Sequence, residues 1–289
     1  MKLLNTALVV ILCLLARFAG AEKITVPVGV YDEHYEVFKR ALASEKCPSA
    51  VSYPIEGNQV LAELLLLCEA LELGGLEVEL DLKPSFAYTR LLRQLDSPDL
   101  AVLGFGVWRR DLDPKRFYIS SPISPSNKFV KGIYVLPSNK IAMQARSRED
   151  VKQLVALTNP SWSVDGEAIR CIGSKTRNAR TYVNMFPMIG ANRADYLLTT
   201  FPAGQNLNIK FYDVALSPIP GVKVILNDTL HFAVNKNYPD GKKIFDALQH
   251  GLNMLNEKGA LKYVHERLGL SNPVVDSWIN IGCNPDEKN

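Results

Sequence analysis

"DLAVLGFGVW", residues 99 to 108, decides the fold. After one leading charge the run is apolar without alternation. A strand half in water would alternate, so this pattern predicts a strand buried on both faces. Such strands belong to sheets covered by helices. The segments upstream supply those helices. "KITVPVGVYD", residues 23 to 32, is β-branched and predicts a first strand. Residues 33 to 58 form a polar, helix-then-loop insertion around Cys47. "QVLAELLLLCEALELGG", 59 to 75, predicts a helix closed by Gly74-Gly75. "LEVELDL", 76 to 82, alternates as a strand. "FAYTRLLRQL", 86 to 95, spaces its apolar residues as a short helix. The order β-α-β-α-β over residues 23 to 108 predicts an α/β sheet, whose ligands bind at the carboxyl ends of strands.

Downstream a second set follows. Strands are predicted at "KGIYVLP" (131 to 137), "LVALTN" (154 to 159), "ADYLLTTF" (194 to 201), "VKVIL" (222 to 226) and "LHFAVNK" (230 to 236). Helices are predicted at "SREDVKQL" (147 to 154, with Ser147 as N-cap and Asp150 at N3), "SVDGEAIRCIG" (163 to 173), 179 to 191, 242 to 258 and 260 to 268. The tail after Pro273 reads as irregular. Two α/β sets make two lobes with a cleft between them. The expected first lobe is 22 to 130 with 231 to 289, and the second is 131 to 230. The chain crosses near 126 to 131 and 227 to 231.

The amino terminus reads as a removable secretory signal, residues 1 to 21. Lys2 supplies the positive start, Ala7 to Leu15 the apolar stretch, and Ala19-Gly20-Ala21 the small residues a signal peptidase needs. Arg17 interrupts the stretch before the roughly 20 apolar residues a membrane span requires. A periplasmic or secreted protein is therefore expected. Without Lys2 and Arg17 the formal net charge falls from +3 to +1, too little for a nucleic-acid partner. Nearly half the residues are hydrophobic, which excludes a disordered chain.

Four cysteines follow the signal: Cys47, Cys68, Cys171 and Cys283. An even number in an exported chain points to disulfides. Three pairings exist. Cys47–Cys68 is favoured because both precede the second strand, and Cys171–Cys283 is what then remains. The chain has no C-x-x-C, and His34, His231, His250 and His265 lack metal-ligand spacing, so neither metal nor cofactor is expected. There is no G-x-S-x-G or H-E-x-x-H, and no nucleophile stands beside a base, so no catalytic residue is assigned.

Four stretches, in order, resemble the type II periplasmic solute-binding proteins, in particular the family 3 proteins of amino-acid ABC transporters. "DLAVLGFGVWRRDLDPKRFYISSPI" (99 to 123) is similar to that family's strand, arginine loop and F-S-x-P-Y turn. "GANRADYLL" (190 to 198) is similar to its G-R-x-D-A segment, "LHFAVNKNYP" (230 to 239) to its return strand, and 245 to 269 to its final helix pair.

The resemblance implies a Venus flytrap whose lobes close on a small-molecule solute and present it to a membrane permease, as a monomer. It also implies two alternatives on the same fold: a sensory receptor with a membrane partner, and a dehydratase-like enzyme. Carried onto this chain residue by residue, the ligand-gripping arginine is Arg109 or Arg110, with Arg110 preferred. The stacking aromatic is Tyr31, and Trp108 stands at the end of the third strand. The helix N-terminus that receives a carboxylate is Asn159 to Asp165, with Asn159, Ser161, Trp162 and Ser163 as contacts. Thr200 stands where the family carries an acid five positions after the aspartate of R-x-D. It offers a hydroxyl without charge, which keeps a polar or anionic solute in view. Phe201 beside it is also expected to face the cleft. Arg193 and Asp195 read as the structural entry to that strand.

Overall fold

The computed structural model describes residues 23–43 and 47–283. The expected signal segment lies outside the described residues. The chain begins with strand β1 (Lys23–Tyr31) and helix α1 (Tyr35–Ala41). Helix α2 (Gln59–Leu73) is capped by the Asn58 side chain. Strand β2 (Glu77–Ser85), helix α3 (Tyr88–Gln94) and strands β3 (Val102–Leu103), β4 (Val107–Trp108) and β5 (Phe117–Ile119) follow. With the later β14 (Ala233–Asn235) they build a sheet in the order β2-β1-β3-β14-β5. β1 is parallel to both β2 and β3, and β14 runs against β3 and β5.

The run 99 to 108 is not one continuous strand. β3 lies in the first sheet, whereas β4 pairs with β13 (Leu230–His231) in a separate two-stranded ribbon, Trp108 opposite Leu230. The break falls at 104 to 106. The Gly106 N–H is withdrawn from any ladder by the Glu63 carboxylate, 2.9 Å away. A Cβ on Gly106 would stand 2.8 Å from Ile123. The segment is apolar because it is buried in both places, so the pattern alone could not show the break.

The second sheet is built from β6 (Phe129–Val135), β7 (Val155–Thr158), β8 (Lys175–Asn178), β9 (Tyr196–Thr200), β10 (Ile209–Phe211) and β11 (Val214–Pro218), in the order β10-β11-β6-β9-β7-β8. β12 (Val222–Leu226) joins β6 beyond the end of its β11 pairing. The helices of this lobe are α4 (Lys140–Met143), α5 (Arg148–Lys152), α6 (Ser163–Ile172) and α7 (Met185–Gly190). The predicted capping box on α5 is present, with Ser147 and Asp150 bonded reciprocally. The helix predicted over 179 to 191 is only α7, and the four residues before it in the sheet edge, β8, are all exposed. A strand with no buried face carries no apolar alternation to read.

Helices α8 (Gly241–Glu257) and α9 (Ala260–Arg267) close the first lobe. α8 lies against α2 so closely that a Cβ on Gly251 would be 1.8 Å from the Ala70 carbonyl oxygen. Only glycine permits that backbone approach. The expectation that residues 231 to 289 all belong with the first lobe is corrected at the end of the chain. Strand β15 (Ile279–Asn280) pairs in parallel with β12, Trp278 packs edge-on against Phe201, and the buried Lys223 ammonium donates to the carbonyls of Val275 and Asp276 at 2.8 and 2.9 Å. These are second-lobe partners, so the described tail returns to that lobe.

Both expected disulfides are present. Cys47–Cys68 ties the insertion to α2, with Cα atoms 5.4 Å apart. Cys171–Cys283 ties α6 to the returning tail, at 5.1 Å. Among the described residues no helix is long and apolar enough to cross a membrane, and no histidine, cysteine and acid cluster has metal-site geometry.

Candidate functional site

The carboxyl ends of the first-lobe strands and the amino end of α6 meet between the lobes, with β6 beside them. The turn Arg109–Asp111 follows β4 directly. Its first residue is fixed to the segment before β13, where the Arg109 N–H donates to the Thr229 carbonyl at 2.8 Å. The Arg109 guanidinium folds back onto the Leu112 carbonyl at 3.0 Å. Arg110 instead reaches outward. Its Nε donates to Asp228 at 2.9 Å, its Nη1 pairs with Glu167 on α6, and its Nη2 lies 3.4 Å from the Asn227 carbonyl. Of the two candidate arginines, Arg110 is the one that spans from the first lobe to the second. Its side chain is one-third exposed, so each pair is worth about 1 kcal/mol or less after screening.

Asp111 makes the second crossing. Its carboxylate accepts the Tyr88 hydroxyl at 2.7 Å and the Ser163 hydroxyl at 3.1 Å. Ser163 is the first residue of α6, and no side chain caps that helix. A carboxylate there faces the positive end of the helix dipole. Burial and the Asp111 charge drive the acidity of Tyr88 far below that of a free phenol, so it remains a hydrogen donor.

Tyr31 ends β1 and stacks on Phe105, ring centroids 4.6 Å apart, with Tyr88 on the same ring at 6.2 Å. Its hydroxyl, too, is held protonated, first by burial and then by Glu63 and Glu33. Glu63 is buried on α2, where burial pushes its carboxyl up to about 7 against the opposing hydrogen bonds from Gln59 and Gly106.

The second-lobe wall centres on Lys131 of β6. Its ammonium is 2.5 Å from Asp165, in the first turn of α6, and both side chains are largely buried. The rings of Phe129 and Trp162 each lie 5.8 Å from that ammonium. Trp108 packs edge-on against Phe129, so an aromatic and cationic row runs from the first lobe to α6. Thr200 stands directly opposite Lys131 across the β6–β9 pair.

Asn159 shapes the loop before α6: its carbonyl accepts the Trp162 N–H, its side chain accepts the Ser161 N–H at 2.8 Å, and its amide donates to Arg180. The Phe201 side chain does not share the face of Thr200. It is 1% exposed and packs on Tyr134 and Trp278 in the second-lobe core. Successive residues of an extended chain point to opposite faces, so the two could not both face the cleft. Asp195 proves structural, accepting from Asn139 and from the Val155 N–H.

Arg110 and Asp111 thus meet α6 directly, at Glu167 and Ser163, whereas Trp162 and Thr200 are linked through Lys131, and Trp108 through Phe129. Tyr31 reaches Asp111 through Phe105 and Tyr88. The pattern missed the structural partners Tyr88, Lys131 and Asp228. A single lysine in a strand, or a tyrosine in a helix, carries no spacing signal that marks such a role.

No protein-family model matches the chain, and no curated protein matches it in sequence. Solved structures match its fold. A probable amino-acid ABC transporter extracellular-binding protein from Bacillus subtilis is 17% identical, with TM-score 0.57 over 87% of this chain and all of that one. An ancestral arginine-binding protein with arginine bound is 14% identical, with TM-score 0.51 over 84% and 97%. An ancestral amino-acid-binding protein, a precursor of cyclohexadienyl dehydratase, is 16% identical, with TM-score 0.52 over 85% and 95%. At these identities the likeness establishes the fold, an α/β pair of lobes of the periplasmic binding-protein kind.

Proposed function

We propose that the protein is an extracytoplasmic solute-binding protein that closes its two lobes on a small polar or anionic solute and presents it to an ABC-type permease. The observation that carries this reading is convergence. Arg110 and Asp111 from the first lobe contact Glu167 and Ser163 of α6, and Lys131, opposite Thr200 across the sheet, contacts Asp165 and Trp162 at the same helix start, which supports a shared binding zone. The fold shared with amino-acid-binding proteins supports the same reading. The position that carries an acid in the amino-acid family holds Thr200, with Lys131 facing it. Lys131 is itself paired with Asp165, so the position offers a hydroxyl beside a neutralised pair in place of the acid that would hold an ammonium, which favours a polar or anionic solute.

A thermal-unfolding screen tests the proposal. A solute bound by the folded state alone stabilises it by about 2.7 kcal/mol at a hundredfold excess over its dissociation constant. One class among amino acids, dicarboxylates, sugars and short peptides is expected to raise the melting temperature with the logarithm of its concentration. If all four classes leave it unmoved, the solute-binding reading fails.

A further inference from the structure

Two positions that would receive a solute's anionic group are taken by carboxylates of the protein itself. Arg110 is bonded to Glu167 of α6 and to Asp228 at the crossover. Asp228 is in turn fixed by the Arg110 and Thr229 N–H groups, at 3.3 and 2.8 Å. The amino end of α6 meets Asp111, which Tyr88 holds from the first lobe. Both contacts run from the turn after β4 to the same face of α6, since Ser163 and Glu167 are one helical turn apart.

We infer that these contacts form a latch, in which Asp111 and Glu167 act as internal ligands that hold the lobes closed without solute. The inference rests on reading the interlobe zone as the solute site, because only then do the internal carboxylates compete with an arriving anion. A solute must displace them, and its apparent affinity falls by the fraction of molecules that are latched. A conformational change needs a difference in contacts between its two states, and the latch supplies one for the closed state.

The test contains no solute, so it stands whether or not a solute is found. Small-angle X-ray scattering of the full chain at low salt is compared for wild type, for Asp111→Asn with Glu167→Gln, and for a control with Glu149→Gln and Glu257→Gln on exposed surface. Wild type and control are expected to give the same compact radius of gyration. The latch variant is expected to shift to a larger one, and amide exchange at Gly166, whose N–H bonds the Trp162 carbonyl at the start of α6, is expected to speed up at least tenfold. Far-ultraviolet circular dichroism checks that the variant is folded.

If it is not folded, wild type alone decides. Raising salt from about 0.1 M to 1 M shortens the screening length from about 10 to 3 Å, which weakens the partly exposed Arg110–Glu167 pair and is expected to enlarge the radius of gyration. A wild type already open at low salt, a folded variant as compact as wild type, or, with the variant unfolded, a radius insensitive to salt overturns the latch.

Discussion

Asp111 of the first lobe accepts the hydroxyl proton of Ser163, the opening residue of α6 in the second lobe, with 3.1 and 3.2 Å to its two carboxylate oxygens. The contact joins residues 52 positions apart that lie in different sheets' territory. A hydrogen bond to a charged acceptor is worth about 1.5 to 3 kcal/mol when buried and less when half-exposed. A double-mutant cycle with Ser163→Ala and Asp111→Asn, read by urea unfolding, is expected to show a coupling of about 0.5 to 1.5 kcal/mol. Strict additivity would mean that the two residues do not interact in solution.

The strand end at Thr200 and Phe201 separates a half-buried face from the core. Phe201→Ala empties a core site and is expected to cost about 3 to 5 kcal/mol of stability. Thr200→Val removes only a half-buried hydroxyl and is expected to cost about 1 kcal/mol or less while weakening binding of any solute found in the thermal screen. Equal stability losses in the two variants would contradict the opposed faces of that segment.

Lys131 and Asp165 form a buried pair, so the loss of one partner strands the other. Lys131→Met is expected to destabilise by about 3 to 5 kcal/mol, and adding Asp165→Leu is expected to return most of that. Calorimetric unfolding of the three variants checks the sign. A double variant no more stable than Lys131→Met would show that Asp165 is not compensated by Lys131.

Glu63 links stability to pH. Its folded carboxyl sits at about 7 against an ordinary value of 4.5, so its contribution is present in full below 4.5 and is lost as pH rises through 7. The stability difference between Glu63→Gln and wild type is therefore expected to move in the variant's favour between pH 5 and 8, by on the order of 2 kcal/mol. Chemical denaturation at both pH values measures it. A difference that stays flat would place the Glu63 carboxyl in a solvated environment.

Cys171–Cys283 closes a loop over 112 positions and anchors the returning tail. Chain-entropy arguments give about 4 to 5 kcal/mol for a loop of that size. The double replacement by serine is expected to lose a large part of this and to accelerate amide exchange at Ile279 and Ile281, whose N–H groups bond Gly221 and Lys223. Unchanged exchange there would mean that the β12–β15 pair and the Lys223 ammonium suffice to hold the tail.

Much of this was legible in the chain. The alternation of 76 to 82, the apolar face of 242 to 258, the Ser147–Asp150 box and the favoured cysteine pairs are features of residues close in sequence, or of an even cysteine count in an exported chain. They specify an α/β pair of lobes and the order of its elements. The segment 99 to 108 shows where that reading stops. Burial makes it apolar on both sides of the break, and what divides it is the Glu63 carboxylate, 43 positions away, on the Gly106 N–H.

The same holds at the site. The resemblance to the solute-binding family pointed to the arginines, the serine-led helix start and the threonine. Which of Arg109 and Arg110 crosses the gap, that Asp111 meets Ser163, and that Phe201 turns inward were decided by tertiary structure. Periodicity reports which face of an element is buried, because one period repeats within a few residues. It holds no record of which distant partner a polar group meets, because that depends on how separately folded lobes are set against each other.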